Sequence, residues 1–275
     1  MAFLQIGPPS VLQLLAPRPY LPRPTGLNDS DLLRYSRHIL LPEIGLEGQM
    51  QVAAATVLLV GAGGLGCPAA LYLGSAGTGR IIIADGDVVE LTNLQRQIGF
   101  RNADIGRNKA HALAQRVLEN NPGIAVDALA QRLESSALTE AVQQADVVLD
   151  CSDNFATRHA VNRACVNLGK PLVSGAALGF AGQLAVFDGN GPCYRCLFGT
   201  GEDAAPRCSE AGVFAPLVGI IGAAQAAEAL KLLIGIGDTL AGRLLLFDAL
   251  AATWREVRVP RDPACPVCGA LRPAV

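Results

Sequence analysis

The stretch Thr56-Val57-Leu58-Leu59-Val60-Gly61-Ala62-Gly63-Gly64-Leu65-Gly66 decides how this chain is read. A short apolar run suited to a buried strand passes directly into glycines at 61, 63 and 66, and the small and apolar residues of 65–76 then suit a helix. Glycine permits the tight turn and lets backbone N–H groups approach a phosphate at the positive end of the helix. A second strand over 80–84 ends at Asp85, 19 residues past Gly66, where a carboxylate can accept hydrogen bonds from ribose hydroxyls. Taken alone, this turn and its acid favour a nicotinamide- or flavin-dependent oxidoreductase.

Three further pieces change that balance. They are Asn93-Leu94-Gln95-Arg96-Gln97, Lys109, and Cys151-Ser152-Asp153-Asn154. A triphosphate needs more neutralising charge than a helix end supplies, and a departing pyrophosphate needs more again. Arg96 lies in a polar stretch beyond Asp85, and Lys109 opens the next helix, so both can reach the crevice at the carboxyl ends of the strands. Asp153 follows the fourth strand on that same edge, and a carboxylate facing phosphates suits magnesium. Singly, each cation reads equally well as a solvated surface charge. Together with the glycine turn they point to a site that handles a nucleoside triphosphate.

The rest of the chain extends the alternation. Helices are expected over 30–40, 106–120, 135–143 and 155–168, with Gly169 as a stop, and strands over 124–128 and 146–149. That rhythm implies a parallel sheet covered on both faces. From Pro171 the strands at 172–175, 182–187, 243–248 and 253–259 have fewer helices between them, which suggests antiparallel additions. The expected fold is α/β, a Rossmann-like mixed sheet with a parallel N-terminal half and antiparallel C-terminal strands. Residues 1–26 carry six prolines and read as a flexible leader, lacking the early cations and unbroken apolar run of a signal peptide. Residues 27–275 read as one domain, with a nucleotide-binding half over about 55–170 and a second half over about 171–270.

Composition narrows the function. Hydrophobic residues make up 51% of the 275 and charged residues only 17%, so part of the surface is expected to be covered by another subunit. A net charge of −2 without a long basic run argues against a nucleic-acid partner. The apolar run 213–234 carries Gln225, Glu228 and Lys231 at every third position, which favours a buried helix over a membrane span. Four of the eight cysteines form the pairs Cys193/Cys196 and Cys265/Cys268, with 68 residues between them. Two such knuckles suit a closed, structural four-thiolate zinc site and a reducing cytosol. His38, His111 and His159 fall on expected helices far along the chain from these knuckles, and Cys67, Cys151 and Cys165 read as small core residues.

Arranged in this order, the segments Leu33–Arg37, Gly61–Gly66, Asn93–Gln97, Gly106–Lys109, Cys151–Asn154, Pro171–Ala176, Pro192–Cys196, Cys208–Val213 and Cys265–Cys268 closely resemble the bacterial ubiquitin-activating-like adenylyltransferases that serve the sulfur carriers of the molybdopterin and thiamine pathways. The resemblance runs from about Leu27 to Ala270. It implies that Gly64, Asp85, Thr92, Asn93, Leu94, Gln95, Arg96, Lys109, Asp153 and Asn154 contact ATP. It also implies a homodimer in which Arg37 reaches into the neighbouring subunit's active site. Cys208 matches the position where ubiquitin-activating enzymes keep an acceptor cysteine, although the molybdopterin branch dispenses with it. Arg207 or the following helix end would be the groups to lower its pKa.

The expected reaction follows. A small ubiquitin-like carrier ending in Gly-Gly presents a carboxylate, already ionised at neutral pH, that attacks the α-phosphorus of Mg-ATP. The products are an acyl-adenylate and pyrophosphate, and a separate sulfurtransferase then installs sulfur. Asp153 would hold the magnesium, while Arg96, Lys109 and the partner's Arg37 balance charge. The molybdopterin carrier is placed first and the thiamine carrier second, in a cytoplasmic enzyme without a fused rhodanese domain. Two rivals remain at this point: an NAD- or FAD-dependent oxidoreductase with structural zinc, and a non-catalytic docking protein that keeps the fold.

Overall fold

The computed structural model describes residues 26–199 and 212–269. Strands β1 (Thr56–Val60), β2 (Arg80–Ala84), β3 (Ala125–Leu129), β4 (Val147–Asp150) and β5 (Leu172–Leu178) run parallel. Strands β6 (Ala181–Phe187), β7 (Arg243–Asp248) and β8 (Thr253–Arg258) extend the sheet antiparallel. The order across the sheet is β3-β2-β1-β4-β5-β6-β7-β8. The mixed architecture expected from the sequence is therefore the one observed.

Side-chain alternation explains why the sheet is sandwiched. Val57, Leu59, Ile81, Ile83, Val147 and Leu149 point to one face and join one core. Their chain neighbours Leu58, Val60, Ile82, Ala84 and Val148 point to the other and join a second core. Both sets are almost completely buried, so the strands read as unbroken apolar runs, as parallel strands covered twice must. The first face is covered by α4 (Gly66–Ser75), α5 (Lys109–Asn120) and α9 (Ala215–Ile234), the second by α6 (Ser135–Gln144) and α7 (Phe155–Leu168). A short α8 (Tyr194–Phe198) packs against α7.

The expected helix over 30–40 is two helices. Asn28 caps α1 (Asp29–Arg34) in a reciprocal capping box with Asp31, and α2 (Ser36–Ile39) follows after a break at Tyr35. The Tyr35 ring is buried, its hydroxyl accepts a hydrogen bond from the side-chain amide of Asn121, and the close approach of Gly77 leaves room for it. Tertiary packing of that ring outweighs the continuous helical spacing of the sequence. A further helix, α3 (Gly45–Ala54), was not legible from the apolar spacing.

Helix α9 is the apolar run that invited a membrane reading, with a mean hydropathy of 1.7. Its polar residues are satisfied inside the protein. The Gln225 amide donates to the carbonyls of Asp150 and Val173, Glu228 accepts the Leu240 N–H, and Lys231 pairs with Glu228 and donates to the Asp238 carbonyl. Glycines notch the contact: a Cβ on Gly175 would lie 2.5 Å from the Gln225 side chain, and one on Gly222 2.4 Å from the Leu65 carbonyl oxygen.

Candidate nucleotide-binding site

Because the chain runs from β1 outward to β3 and then returns to β4 on the other side of β1, the strand order reverses beside β1. A crevice opens there, at the carboxyl ends of the strands. The loops after β1, β2 and β4 all end on that edge. The first and third nearly touch: Gly61 adopts φ +101°, and a Cβ on it would lie 2.8 Å from the Cys151 carbonyl oxygen. Gly66 is needed for a different reason, since a Cβ there would sit 2.1 Å from the Gly61 oxygen. At Gly63 a Cβ would only touch the Gln97 side-chain amide, 3.7 Å away, so no steric clash requires glycine there, and its backbone lines the cavity. These loops wall a cavity of about 460 Å³.

Arg96, Lys109 and Asp153, separated by up to 57 positions in the chain, line this one cavity together with Gly61, Gly63, Gly64, Asp85 and Asn154. Asp85 is fixed by its own turn: its two carboxylate oxygens accept the N–H groups of Ala62 and Asp87, each at 2.8 Å. Burial nonetheless holds its carboxyl above the ordinary carboxylate value. Ionised, it keeps lone pairs for further donors. Asn108 caps α5, accepting from the His111 N–H, while its amide hydrogens bond the carbonyls of Asp85 and Asp87. That double grip sets Lys109, the first helical residue, against the acid loop. Its ammonium is mostly buried and lies 3.5 Å from Asp87.

The reading from sequence missed part of the charge system. Arg132, just past β3, pairs with Asp87 at 3.1 Å and lines the cavity beside Asp153. Burial works to raise the Asp87 carboxyl, but the hydrogen bond from Arg132 and the charge of Lys109 outweigh it and hold it below the ordinary value. Arg158, on the first turns of α7, also lines the cavity and donates to the Ser152 carbonyl at 2.7 Å. Asn154 caps α7 by accepting the Thr157 N–H, so this helix points its positive end at the cavity. No short motif announces Asp87, Arg132 or Arg158. Their roles appear only when three strand ends are brought together.

Other expected residues lie elsewhere. Thr92, Asn93, Leu94 and Gln95 do not line the cavity. Asn93 accepts the Glu90 N–H, Leu94 packs on the core, and the Thr92 carbonyl accepts from the Arg96 guanidinium at 3.0 Å, so the segment scaffolds Arg96. Gln97, from the same run, does line it. Gly66 is a packing glycine behind the turn. Arg37 is exposed on α2 and does not line this chain's cavity. Cys208 lies outside the described residues. Burial pushes the Cys67 thiol up to about 12 and raises Cys151 and Cys165 further, which keeps all three as protonated core groups.

The four paired cysteines converge at the far end of α7. The Sγ atoms of Cys193, Cys196, Cys265 and Cys268 all lie within 4.8 Å of one another, with contacts of 3.9, 3.7 and 3.4 Å. A tetrahedral zinc with Zn–S of about 2.3 Å has a sulfur–sulfur edge of about 3.8 Å. The cluster therefore fits that ion and leaves no position open.

Comparisons with known proteins agree with this geometry. The ThiF family model matches residues 35–267. The sulfur carrier protein ThiS adenylyltransferase of Escherichia coli is 50% identical over 245 residues, covering 88% of this chain and 97% of that protein. The sulfur carrier protein adenylyltransferase of Thermus thermophilus is 49% identical over 247 residues, covering 87% and 91%. Adenylyltransferase and sulfurtransferase MOCS3-1 of Zea mays is 47% identical over 251 residues, but this match spans 54% of it. Among solved structures, E. coli MccB with ATP superposes with a TM-score of 0.74 at 25% identity, over 88% of this chain and 75% of that one. Matched over most of its length by the family model and by relatives of nearly its own extent, the chain belongs to the ThiF family.

Proposed function

We propose that this protein is an adenylyltransferase that activates the C-terminal Gly-Gly carboxylate of a small ubiquitin-like sulfur carrier with Mg-ATP. The observation that carries the reading is the meeting of Arg96, Lys109 and Asp153 with the glycine turn and Asp85 in one cavity. An oxidoreductase would use the turn and Asp85 but has no need of the other three. Relatives named for adenylation of sulfur carriers, and a solved neighbour holding ATP, support the same reading.

In this account the phosphates lie over the bare backbone at Gly63 and the positive end of α7, and Asp85 receives the ribose hydroxyls. Asp153 would hold magnesium, which supplies charge neutralisation at the phosphates. Arg96 and Lys109 balance the charge that builds on the departing pyrophosphate. Ala177, Val213 and Val218 give the cavity an apolar side toward the second half of the chain, and the carrier's tail enters there. The exposed Phe180, Phe214, Leu250 and Trp254 on that half suit contact with the carrier. The attacking carboxylate needs no base, and catalysis is positioning plus electrostatics.

The protein acts as a homodimer in which Arg37 completes the partner's site, a reading supported by its exposure outside its own cavity's lining and by the exposed Leu33, Leu40 and Leu41 near it in the chain. Zinc holds the four cysteines as a structural clasp. A separate sulfurtransferase in the cytoplasm takes the acyl-adenylate onward. Of the two carriers, the molybdopterin one is the first candidate. The 50%-identical E. coli relative is named for ThiS, which supports testing the thiamine carrier on an equal footing. ATP–pyrophosphate exchange with each purified carrier decides the question. Exchange that depends on one carrier supports the proposal, whereas nicotinamide or flavin binding without exchange contradicts it.

A further inference from the structure

Between the cavity and the cysteine cluster runs a single helix, α7. Asn154 caps its first turn at the cavity, and Asn162, eight residues on, lies about 12 Å further along the axis. Asn162 is 1% exposed. Its Oδ1 accepts the Tyr194 backbone N–H at 2.9 Å, and its Nδ2 lies 3.6 Å from the Cys193 Sγ. A backbone N–H can only donate, so the oxygen of the side-chain amide must face Tyr194 and the NH₂ must face the sulfur. Tyr194 is the first residue of α8, its N–H has no acceptor within that helix, and Asn162 supplies one from α7. One buried carboxamide therefore holds Cys193 by its sulfur and the next residue by its N–H.

A zinc ion with four thiolates carries a net negative charge, and N–H donors to the sulfurs disperse it. We propose that Asn162 is a positioning residue of the zinc site, donating an N–H···S hydrogen bond that orients the Cys193 thiolate and raises metal affinity. The proposal rests on the reading of the cysteine cluster as a zinc site. It adds an outer partner from the helix whose other end faces the nucleotide cavity.

The test is zinc affinity of the full chain, measured by competition with a chromophoric chelator. Asn162→Asp keeps the size of the side chain and the acceptor for Tyr194 but puts a carboxylate oxygen where the donor stood. It should bind zinc about 10- to 100-fold more weakly; the buried carboxylate also lowers the stability of the metal-free protein, so affinities are compared where both proteins are folded. If the variant does not fold, wild-type protein loaded with cadmium-113 supplies the same test: a scalar coupling between the metal and an Asn162 side-chain N–H proton is expected. Equal zinc affinity in Asn162→Asp, or no such coupling in a loaded protein, overturns the role of Asn162 and leaves the zinc site intact. A wild-type chain that binds neither metal overturns both.

Discussion

Lys109→Met separates chemistry from folding at the proposed site. In the wild type the Lys109 stem is packed in the first turn of α5, its side chain is 10% exposed, and its ammonium sits 3.5 Å from the half-exposed Asp87. Methionine retains the stem, so the packing survives. What is lost for stability is an ion pair with one solvated partner, worth about 0–1 kcal/mol, and the cost of partly desolvating the ammonium is lost with it. Stability should therefore change by no more than about 1 kcal/mol. Loss of one preorganised group facing the developing phosphate charge costs about 2.7–4 kcal/mol, a drop of roughly 10²- to 10³-fold in rate. Carrier-dependent ATP–pyrophosphate exchange across ATP concentrations, paired with urea unfolding, reads both quantities. The effect should fall on kcat; a rise in KM alone would mean uniform ground-state binding. Exchange within about threefold of wild type, or a loss of several kcal/mol in folding, would refute the role assigned to this side chain.

Three other perturbations test neighbouring parts of the account. Gly66→Ala forces a methyl to within 2.1 Å of the Gly61 oxygen, so the turn must open; a loss of about 1–3 kcal/mol in urea unfolding and weaker ATP binding are expected, and a neutral variant would contradict the geometry. Asp85→Asn presents an NH₂ to one of the two N–H groups from Ala62 and Asp87 and should cost about 1–3 kcal/mol. Because burial raises the folded carboxyl above its unfolded value, ionisation of Asp85 opposes folding as pH rises through that raised value. The deficit of Asp85→Asn should thus be larger in acid than at neutrality, and unfolding curves across pH with the opposite trend would refute this. Arg37→Ala and Asp153→Ala, each inactive alone, should regain exchange when mixed and reassembled, since one site of each mixed dimer is intact; no recovery would contradict the shared site.

How far these features could be read in advance depended on their range in the chain. The glycine turn, Asp85 and the start of α5 are local: strand, turn and helix lie within a few residues, and short-range sterics determine them. The cysteine pairs were legible because thiolate spacing carries its own chemistry. Asp87 and Arg132 could not be recognised as partners, because 45 positions separate them and only the β2–β3 pairing brings them to one mouth. Thr92 to Gln95 are expected at the nucleotide only through the family resemblance; in the fold they stand outside the cavity lining, and the Asn93 side chain accepts the Glu90 N–H. The break at Tyr35 was hidden for a related reason: helical periodicity in 30–40 is intact, and a buried ring decides otherwise. No motif marks Asn162 within its helix, and only the fold sets it against Cys193.

The most direct measurement is the intact mass of the carrier protein after incubation with this protein and Mg-ATP. The account predicts an adduct of one AMP on the carrier's terminal carboxylate. The adduct should be absent when the last glycine is removed or when Asp153→Ala replaces the wild type. An AMP adduct that survives either change, or none with either candidate carrier while nicotinamide binds tightly, would contradict it.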